Sequence, residues 1–171
     1  SAASDVYKRQ RLVQMLLLLA LQVLVLNHMS FWGMGTPMIG VLLLAYMPMN
    51  TSRSAAMLWA FAMGLATDVF SNTPGMGSAA MTLTAMLRPT LLNMQAPKDA
   101  PEDLLPTYRT MGVWNHVRYV LTLFLVHHTT YFMLETFSVT HIALAGLHLL
   151  ASLATTLLLA FTLEAIRNSS K

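Results

Sequence analysis

Long apolar runs, separated by short turns rich in polar residues, glycine or proline, organise this chain. The longest run covers residues 12–52, which are 41 residues without a single Asp, Glu, Lys or Arg. One membrane-spanning helix needs only ~20 residues. We therefore expect this run to hold two helices and the turn between them, which predicts a membrane protein with several spans.

The apolar runs and their breaks predict an all-α polytopic membrane protein, with one helical domain over residues 11–167. The breaks fall at 30–37, 48–53 and 72–76, and a polar loop follows at 95–111. The pattern predicts about six transmembrane helices in a bundle. The predicted spans are 11–29, 37–49, 54–71, 77–93, 114–135 and 141–167.

The second and fourth spans are less regular than the others. The second is short, and an earlier start near Phe31 is an alternative. The fourth is interrupted by Thr82, Thr84 and the Arg88-Pro89 pair. A full span, a re-entrant segment and an interfacial helix all remain open for the fourth.

Charge predicts the orientation, because cytoplasmic loops accumulate Lys and Arg. With both termini in the cytoplasm, all ten Lys and Arg residues fall on one side, including those of the 95–111 loop. Arg88 and Arg118 lie near inner helix ends, where long side chains can extend to the interface. We expect a multi-pass membrane protein with both termini in the cytoplasm.

Composition agrees with this interpretation. Hydrophobic residues make up 56% of the chain and charged residues 10%, against ~25% charged in a soluble domain. The net charge of +3 indicates orientation in the lipid bilayer rather than binding to nucleic acid. Cysteine is absent, which excludes disulfides and thiol-based sites.

The first ten residues look foreign to the protein. The stretch Ser-Ala-Ala-Ser-Asp-Val-Tyr-Lys-Arg-Gln lacks an initiator Met and resembles translated adapter sequence. We expect residues 1–10 to be a non-native scar and give them no functional role.

Asp68 is the first candidate for chemistry, because ionisable groups within a membrane are costly. It lies one turn beyond Gly64 on the same helix face, where a glycine permits close helix approach. Two roles are open for its carboxylate. It either accepts hydrogen bonds from the turn at 72–75, or makes a buried polar contact that holds helices together.

A second candidate set comprises His127, His128 and Glu135 on the fifth helix and His148 on the sixth. Adjacent residues project ~100° apart on a helix, so the two neighbouring histidines face different ways. A metal site would favour ligands on a shared face, as in His-Glu-x-x-His. We expect interhelical hydrogen bonds here, and neither a metal nor a cofactor.

Catalytic motifs are missing from the sequence. It contains no Gly-x-Ser-x-Gly element and no phosphate-binding loop with its Lys. Glu164 and Arg167 form an i, i+3 pair, for which we expect only local stabilisation. We predict a protein that is not an enzyme.

Four sequence elements, in this order and spacing, resemble the rod shape-determining protein MreD family. They are residues 64–76 (Gly-Leu-Ala-Thr-Asp-Val-Phe-Ser-Asn-Thr-Pro-Gly-Met), 88–89 (Arg-Pro), 125–128 (Leu-Val-His-His) and 135–138 (Glu-Thr-Phe-Ser). The resemblance covers essentially the whole chain after Arg11. One departure is Gly77-Ser78, where one branch of the family commonly has His-Ala.

The resemblance implies a non-enzymatic scaffold in the bacterial cytoplasmic (inner) membrane. Such a scaffold belongs to the cell-elongation machinery, which builds peptidoglycan and maintains rod shape. Its implied partner is the bitopic protein MreC, with indirect links to MreB, RodA and a class B penicillin-binding transpeptidase. It also implies a bundle similar to the substrate-binding subunits of energy-coupling-factor transporters. The structural or partner-binding candidates are Gly64, Asp68, Ser71, Asn72, Gly75, Arg88, Pro89, His127, His128 and Glu135.

The alternative function is the substrate-binding subunit of a vitamin-type membrane transporter. Such a subunit needs a ligand pocket near the outer surface. The polar set around Asp68, His127 and His148 would line that pocket.

Overall fold

A computed structural model describes residues 2–29, 35–136 and 142–169. Regular structure in these ranges is helical, joined by short turns. The elements are α1 (Ala2–Leu24), α2 (Leu42–Ala45), α3 (Arg53–Ser71), α4 (Met76–Asn93), α5 (Tyr108–Met111), α6 (Val113–Glu135) and α7 (Ile142–Ser169), with 3-10 turns at Leu26–His28 and Ile39–Val41.

Three helical stretches among the described residues are long and apolar enough to cross a membrane. They are Ser4–His28, Arg53–Ser71 and Ala143–Arg167. Two further helices, α4 with 18 residues and α6 with 23, have lengths of ~27 and ~34 Å, close to the ~30 Å hydrocarbon core of a bilayer. The prediction of an all-α, membrane-type chain is confirmed at this level.

The distribution of side chains is that of a protein surrounded by lipid. Large apolar residues point outward along the helices, for example Leu58 and Val69 on α3 (70% and 71% exposed) and Leu158 on α7 (68%). Buried polar side chains instead lie inside the bundle, where most of them make hydrogen bonds within their own helix or to a neighbouring one, as membrane interiors require. They include Gln22, Asp68, Ser78, Thr84, Arg88, His116, His127, His128, Ser152, Thr156 and Glu164.

The helices pack around a short central segment. Helices α3 and α4 form a closely packed antiparallel hairpin, α4 also packs on α6, and α6 packs on α5 and α7. Helix α1 contacts α3 and α2. The α2 side chains Leu43, Leu44 and Ala45 are fully buried, so α2 lies inside the bundle.

The predicted helix at 37–49 is much shorter in the structure. A three-residue 3-10 turn and a four-residue α-helix cover Ile39–Ala45, a rise of about 12 Å that does not by itself cross a bilayer. Pro37 and Pro48 lack amide hydrogens and disfavour helix at the flanks. The alternative start near Phe31 falls in residues 30–34, outside the described ranges.

The remaining helices differ from the predicted bounds mainly at α1. This helix begins at Ala2, before Arg11, and ends at Leu24 rather than at residue 29. Helices α3, α4 and α6 begin within one residue of the predicted spans 54–71, 77–93 and 114–135. The predicted last span begins at residue 141, which lies outside the described ranges, and α7 covers Ile142–Ser169. The foreign origin of residues 1–10 stays a prediction.

The segment at 95–111 is a series of turns ending in α5. Its charged residues Lys98, Asp99, Glu102 and Asp103 are exposed. Leu104 is buried and its carbonyl accepts a hydrogen bond of 2.9 Å from the amide of Met49. The segment therefore folds back on the turn that follows α2.

Candidate functional site at the two polar ends of the bundle

The turn between α3 and α4 brings residues 64–68, which form a Gly-Leu-x-x-Asp element, to the start of α4. Asn72 ends α3 in the left-handed conformation (φ 56°), and Gly75 precedes α4 with φ 83°. Positive φ favours Asn and Gly at these two positions. Gly75 has no side chain to cap the free amides of the first turn of α4.

Asp68 of α3 supplies the missing cap. Its Oδ1 accepts hydrogen bonds from the amide of Gly77 (2.8 Å) and the hydroxyl of Thr73 (2.9 Å), and its Oδ2 accepts one from the amide of Ser78 (2.9 Å). A carboxylate at a helix N-terminus also interacts favourably with the helix dipole. Asp68 is 4% exposed. It therefore bonds to the turn and holds two helices together, which combines the two predicted roles.

Gly64 allows this approach. A Cβ atom at Gly64 would lie 2.5 Å from the Cα of Ser78 and 2.6 Å from the carbonyl oxygen of Gly77. Such distances are well inside van der Waals contact, so α3 and α4 meet backbone to backbone at this point. A Cβ at Gly77 would likewise meet Asp68 Oδ1 at 2.7 Å. Both glycines therefore set the spacing that Asp68 needs to reach the amides.

Ser71 connects this junction to α1. Its Oγ accepts a hydrogen bond of 2.8 Å from the side-chain amide of Asn27. The side-chain carbonyl of Asn27 in turn accepts one of 3.0 Å from Gln22. We call this region, with Asp68, Ser71, Thr73 and Gly77, the Asp68 end of the bundle.

A cavity of about 500 Å³ lies at the Asp68 end, between α1, α3, α4 and α6. Sites for small molecules usually have volumes of about 300–1,000 Å³. His127 and Glu135 line this cavity, whereas Asp68 and His148 are outside the set of described residues that do so. Its other polar lining residues are Gln22, Asn27, His28, Thr36, Thr67, Ser71, Thr73 and Tyr131.

His127 and His128 face different neighbours. His127 lies against the backbone carbonyl of Ala80 on α4. His128 Nδ1 donates to the carbonyl of Phe124 (2.8 Å), and its Nε2 lies 3.1 Å from the hydroxyl of Thr156 on α7. One histidine thus joins α6 to α4 and the other joins α6 to α7.

The non-helical residues before α2 have their backbone amides satisfied by side chains from two helices. The amide of Thr36 donates to Ser152 Oγ (3.2 Å) and that of Met38 to Thr156 Oγ1 (3.0 Å), both on α7. The amide of Ile39 donates to Gln22 Oε1 of α1 (2.9 Å). Irregular backbone is tolerated at membrane depth only where protein supplies such partners.

Arg88 provides hydrogen-bond partners for the backbone at the other end of α2, where carbonyl groups rather than amides need them. Its Nε donates to the carbonyl of Leu44 (2.7 Å), and its Nη2 contacts the carbonyls of Met47 and Pro48. The side chain is fully buried, so the expectation that Arg88 extends to the interface was wrong. The carbonyls at a helix C-terminus attract a cation strongly enough to retain the guanidinium inside.

Pro89 follows Arg88 within α4. Proline has no amide hydrogen, so the carbonyl of Ala85 loses its intrahelical partner. The helix nevertheless continues to Asn93. Pro89 is half-buried, and Arg88 makes the interhelical contacts of this pair.

Glu164 and Arg167 have more than the predicted local role. Glu164 Oε2 lies 2.7 Å from Nε2 of the buried His116 on α6, and its Oε1 lies 3.9 Å from Arg167. The guanidinium of Arg167 stacks on the ring of Tyr46, 4.1 Å from its centroid. This chain of contacts links α6, α7 and the turn after α2. We call this region, with Arg88, the Arg88 end.

The candidate residues predicted from the sequence therefore lie in separate regions of the bundle, and the Asp68 end and the Arg88 end are far from forming one site. Within the described ranges, no group of three or more His, Cys, Asp and Glu side chains is placed to hold a metal ion. The sequence reasoning missed Gln22, His116, Ser152 and Thr156. Each of them is a polar residue in an otherwise apolar helix. Such a side chain needs a hydrogen-bond partner inside the bundle, and this is the sequence feature that could have identified it.

Comparison with models of known protein families, with curated proteins and with solved structures gives no match for this chain.

Proposed function

We propose that this chain is a non-enzymatic scaffold in a bacterial cytoplasmic membrane, of the MreD type. In this role it binds an MreC-like bitopic protein and helps couple MreB to RodA and a class B penicillin-binding transpeptidase. The proposal rests on the sequence resemblance and on one structural observation. Gly64 and Asp68 of the Gly-Leu-x-x-Asp element meet Gly77 in a contact between two helices of the chain itself.

That observation favours a structural role for the residues that carry the resemblance. Asp68 has hydrogen bonds to both carboxylate oxygens, and Arg88 contacts three carbonyls. Both side chains are buried. A partner protein would therefore contact the outward residues around them, not Asp68 or Arg88. The resembling residues determine the shape of the bundle, and its outer surface is left for binding.

The outer side of the α3–α4 hairpin offers a surface for a partner helix. A shallow groove there is lined by small residues of α4, including Ala79 and Thr82, and flanked by Phe61 and Leu83. Phe61 is 46% exposed and Leu83 37%. Small residues in a groove between apolar side chains allow close packing of a further transmembrane helix. We propose that the single span of an MreC-like protein packs in this groove.

The proposed topology has six passages through the bilayer and cytoplasmic termini, as in the substrate-binding subunits of energy-coupling-factor transporters. Residues 35–49 make the second passage as a partly irregular segment. The connections at the Asp68 end contain no Lys or Arg, which supports an outer location for that end. Since the chain has no cysteine, single cysteines at Thr73 and Glu102 should react with an impermeant maleimide from opposite sides of the membrane.

Co-purification tests the scaffold function directly. The chain, carrying an affinity tag, is co-expressed with an MreC homologue and extracted in mild detergent. We expect a stoichiometric complex that survives size-exclusion chromatography. A monodisperse chain that carries none of the MreC homologue would contradict the proposal.

The cavity at the Asp68 end supports the transporter function as a second candidate. Its volume and polar lining suit a small, vitamin-like molecule. Binding of such a ligand to the purified protein at nanomolar concentration, and its loss in Asn27→Leu, would favour this function. A neighbouring gene for a transporter ATPase, rather than for an MreB or MreC homologue, would point the same way.

A further inference from the structure

A second cavity, of about 670 Å³, lies at the Arg88 end between α1, α2, α5, α7 and the segment before α5. Three arginines from three separate parts of the chain line it: Arg11, Arg109 and Arg167. Asp and Glu do not occur among the described residues that line it. The lining therefore has a strong positive balance.

Contacts within the chain hold two of these guanidinium groups in place. Arg11 Nη1 donates to the carbonyl of Tyr46 (2.9 Å) and to Gln14 Oε1 (3.0 Å). Arg167 stacks on the Tyr46 ring and lies 3.9 Å from Glu164 Oε1. The other oxygen of Glu164 bonds to His116. The described lining thus brings three guanidinium groups together, and such an arrangement attracts an anion.

The rest of the lining is apolar and reaches the outer surface of α1. Val13 and Leu17 line the cavity and are 49% and 67% exposed. Leu18, Leu42 and Leu163 complete the apolar wall. Thr107 and Thr110 add hydroxyl groups beside Arg109. An amphiphile with a negative head and an apolar tail matches this arrangement of charge and hydrocarbon.

We propose that this cavity binds an acidic phospholipid, with its phosphate among Arg11, Arg109 and Arg167 and an acyl chain along Val13 and Leu17. Basic pockets between transmembrane helices are suited to such headgroups. The bound lipid joins α1 to α7 and to α5, so it stabilises the fold. The proposal does not depend on the scaffold function, and it holds equally for a transporter subunit.

Thermal unfolding of the purified protein in neutral detergent tests the site. Phosphatidylglycerol is added in one arm, phosphatidylcholine in a second, and inorganic phosphate or glycerol phosphate in a third. We expect only phosphatidylglycerol to raise the unfolding temperature. Equal shifts with phosphatidylcholine would overturn the proposal, and a full shift with free phosphate would show a simple anion site instead.

Matched variants locate the effect. Arg11→Gln/Arg109→Gln removes two charges from the cavity, and Arg53→Gln/Arg118→Gln removes two exposed charges outside it. We expect the first pair to weaken phosphatidylglycerol binding by about fivefold or more per charge, with little change for the second. Equal losses in both pairs would overturn the proposal. If the first pair does not fold, the single variant Arg109→Gln, at an exposed side chain, decides the question by the same criterion.

Discussion

The carboxylate of Asp68 on α3 lies 2.8 Å from the backbone amide of Gly77 in the first turn of α4. This one contact supplies the helix cap that Gly75 lacks, and it places a negative charge at the positive end of the helix dipole. It therefore explains in physical terms why an acidic residue is placed one helical turn after Gly64.

Asp68→Asn removes the charge and leaves one oxygen to accept hydrogen bonds from two amides and a hydroxyl. We expect a loss of about 1–3 kcal/mol in the free energy of unfolding, because a buried donor is left without an acceptor. Asp99→Asn, at an exposed loop residue, is the matched control and should change little. Unfolding in mixed detergent–SDS micelles measures both, and equal stabilities would refute the capping role.

Gly64→Ala tests the backbone contact between α3 and α4. The added methyl group would lie 2.5 Å from the Cα of Ser78, so the helices must separate, at a cost of about 1–3 kcal/mol. Gly146→Ala adds the same methyl group to α7, where it meets nothing within 4 Å. This control should be neutral or stabilising by up to ~1 kcal/mol. The same unfolding experiment compares them, and a stable Gly64→Ala would contradict the close approach.

Arg88→Lys tests the contacts at the end of α2. A lysine ammonium cannot reproduce the planar arrangement of donors that reaches Leu44, Met47 and Pro48. We expect a loss of about 2 kcal/mol or more, since hydrogen bonds to charged groups contribute ~1.5–3 kcal/mol. Arg118→Lys, at an exposed position of α6, serves as control. Limited proteolysis should also show faster cleavage in the turn after α2 for Arg88→Lys only.

A double-mutant cycle tests the link between α6 and α7. His116→Ala and Glu164→Gln each remove one side of a 2.7 Å contact between buried groups. We expect a coupling energy of about 1–3 kcal/mol between them. A coupling near zero would mean that the contact contributes nothing specific. His148→Ala combined with Glu164→Gln is the control pair and should be additive.

Much of the helical pattern could be predicted from the sequence, because a charge-free apolar run has few alternatives to a membrane helix. The segment at 37–49 could not, since an apolar run does not distinguish a continuous helix from buried irregular backbone. Its conformation depends on distant side chains, namely Gln22, Ser152 and Thr156. No local pattern encodes those contacts.

The candidate site could also be predicted only in part, because the sequence indicates contacts within one helix but not contacts between distant helices. Gly64 and Asp68 are one turn apart, so their shared face followed from helix geometry. The burial of Arg88 and the pairing of His116 with Glu164 did not, because each depends on where another helix lies. Arg88 is 44 positions from Leu44, and His116 is 48 from Glu164. A sequence pattern detects neighbours within a helix far better than contacts at such separations.

The proposed partner groove between α3 and α4 is tested most directly by filling it. Ala79→Leu adds bulk to an exposed groove position, and Ala154→Leu makes the same change at an exposed position of α7. The measurement is the yield of co-purified MreC homologue, with the unfolding temperature of each variant confirming that it is folded. The scaffold account predicts a loss of about tenfold or more for Ala79→Leu and an unchanged yield for Ala154→Leu. Equal yields from the two folded variants would contradict it.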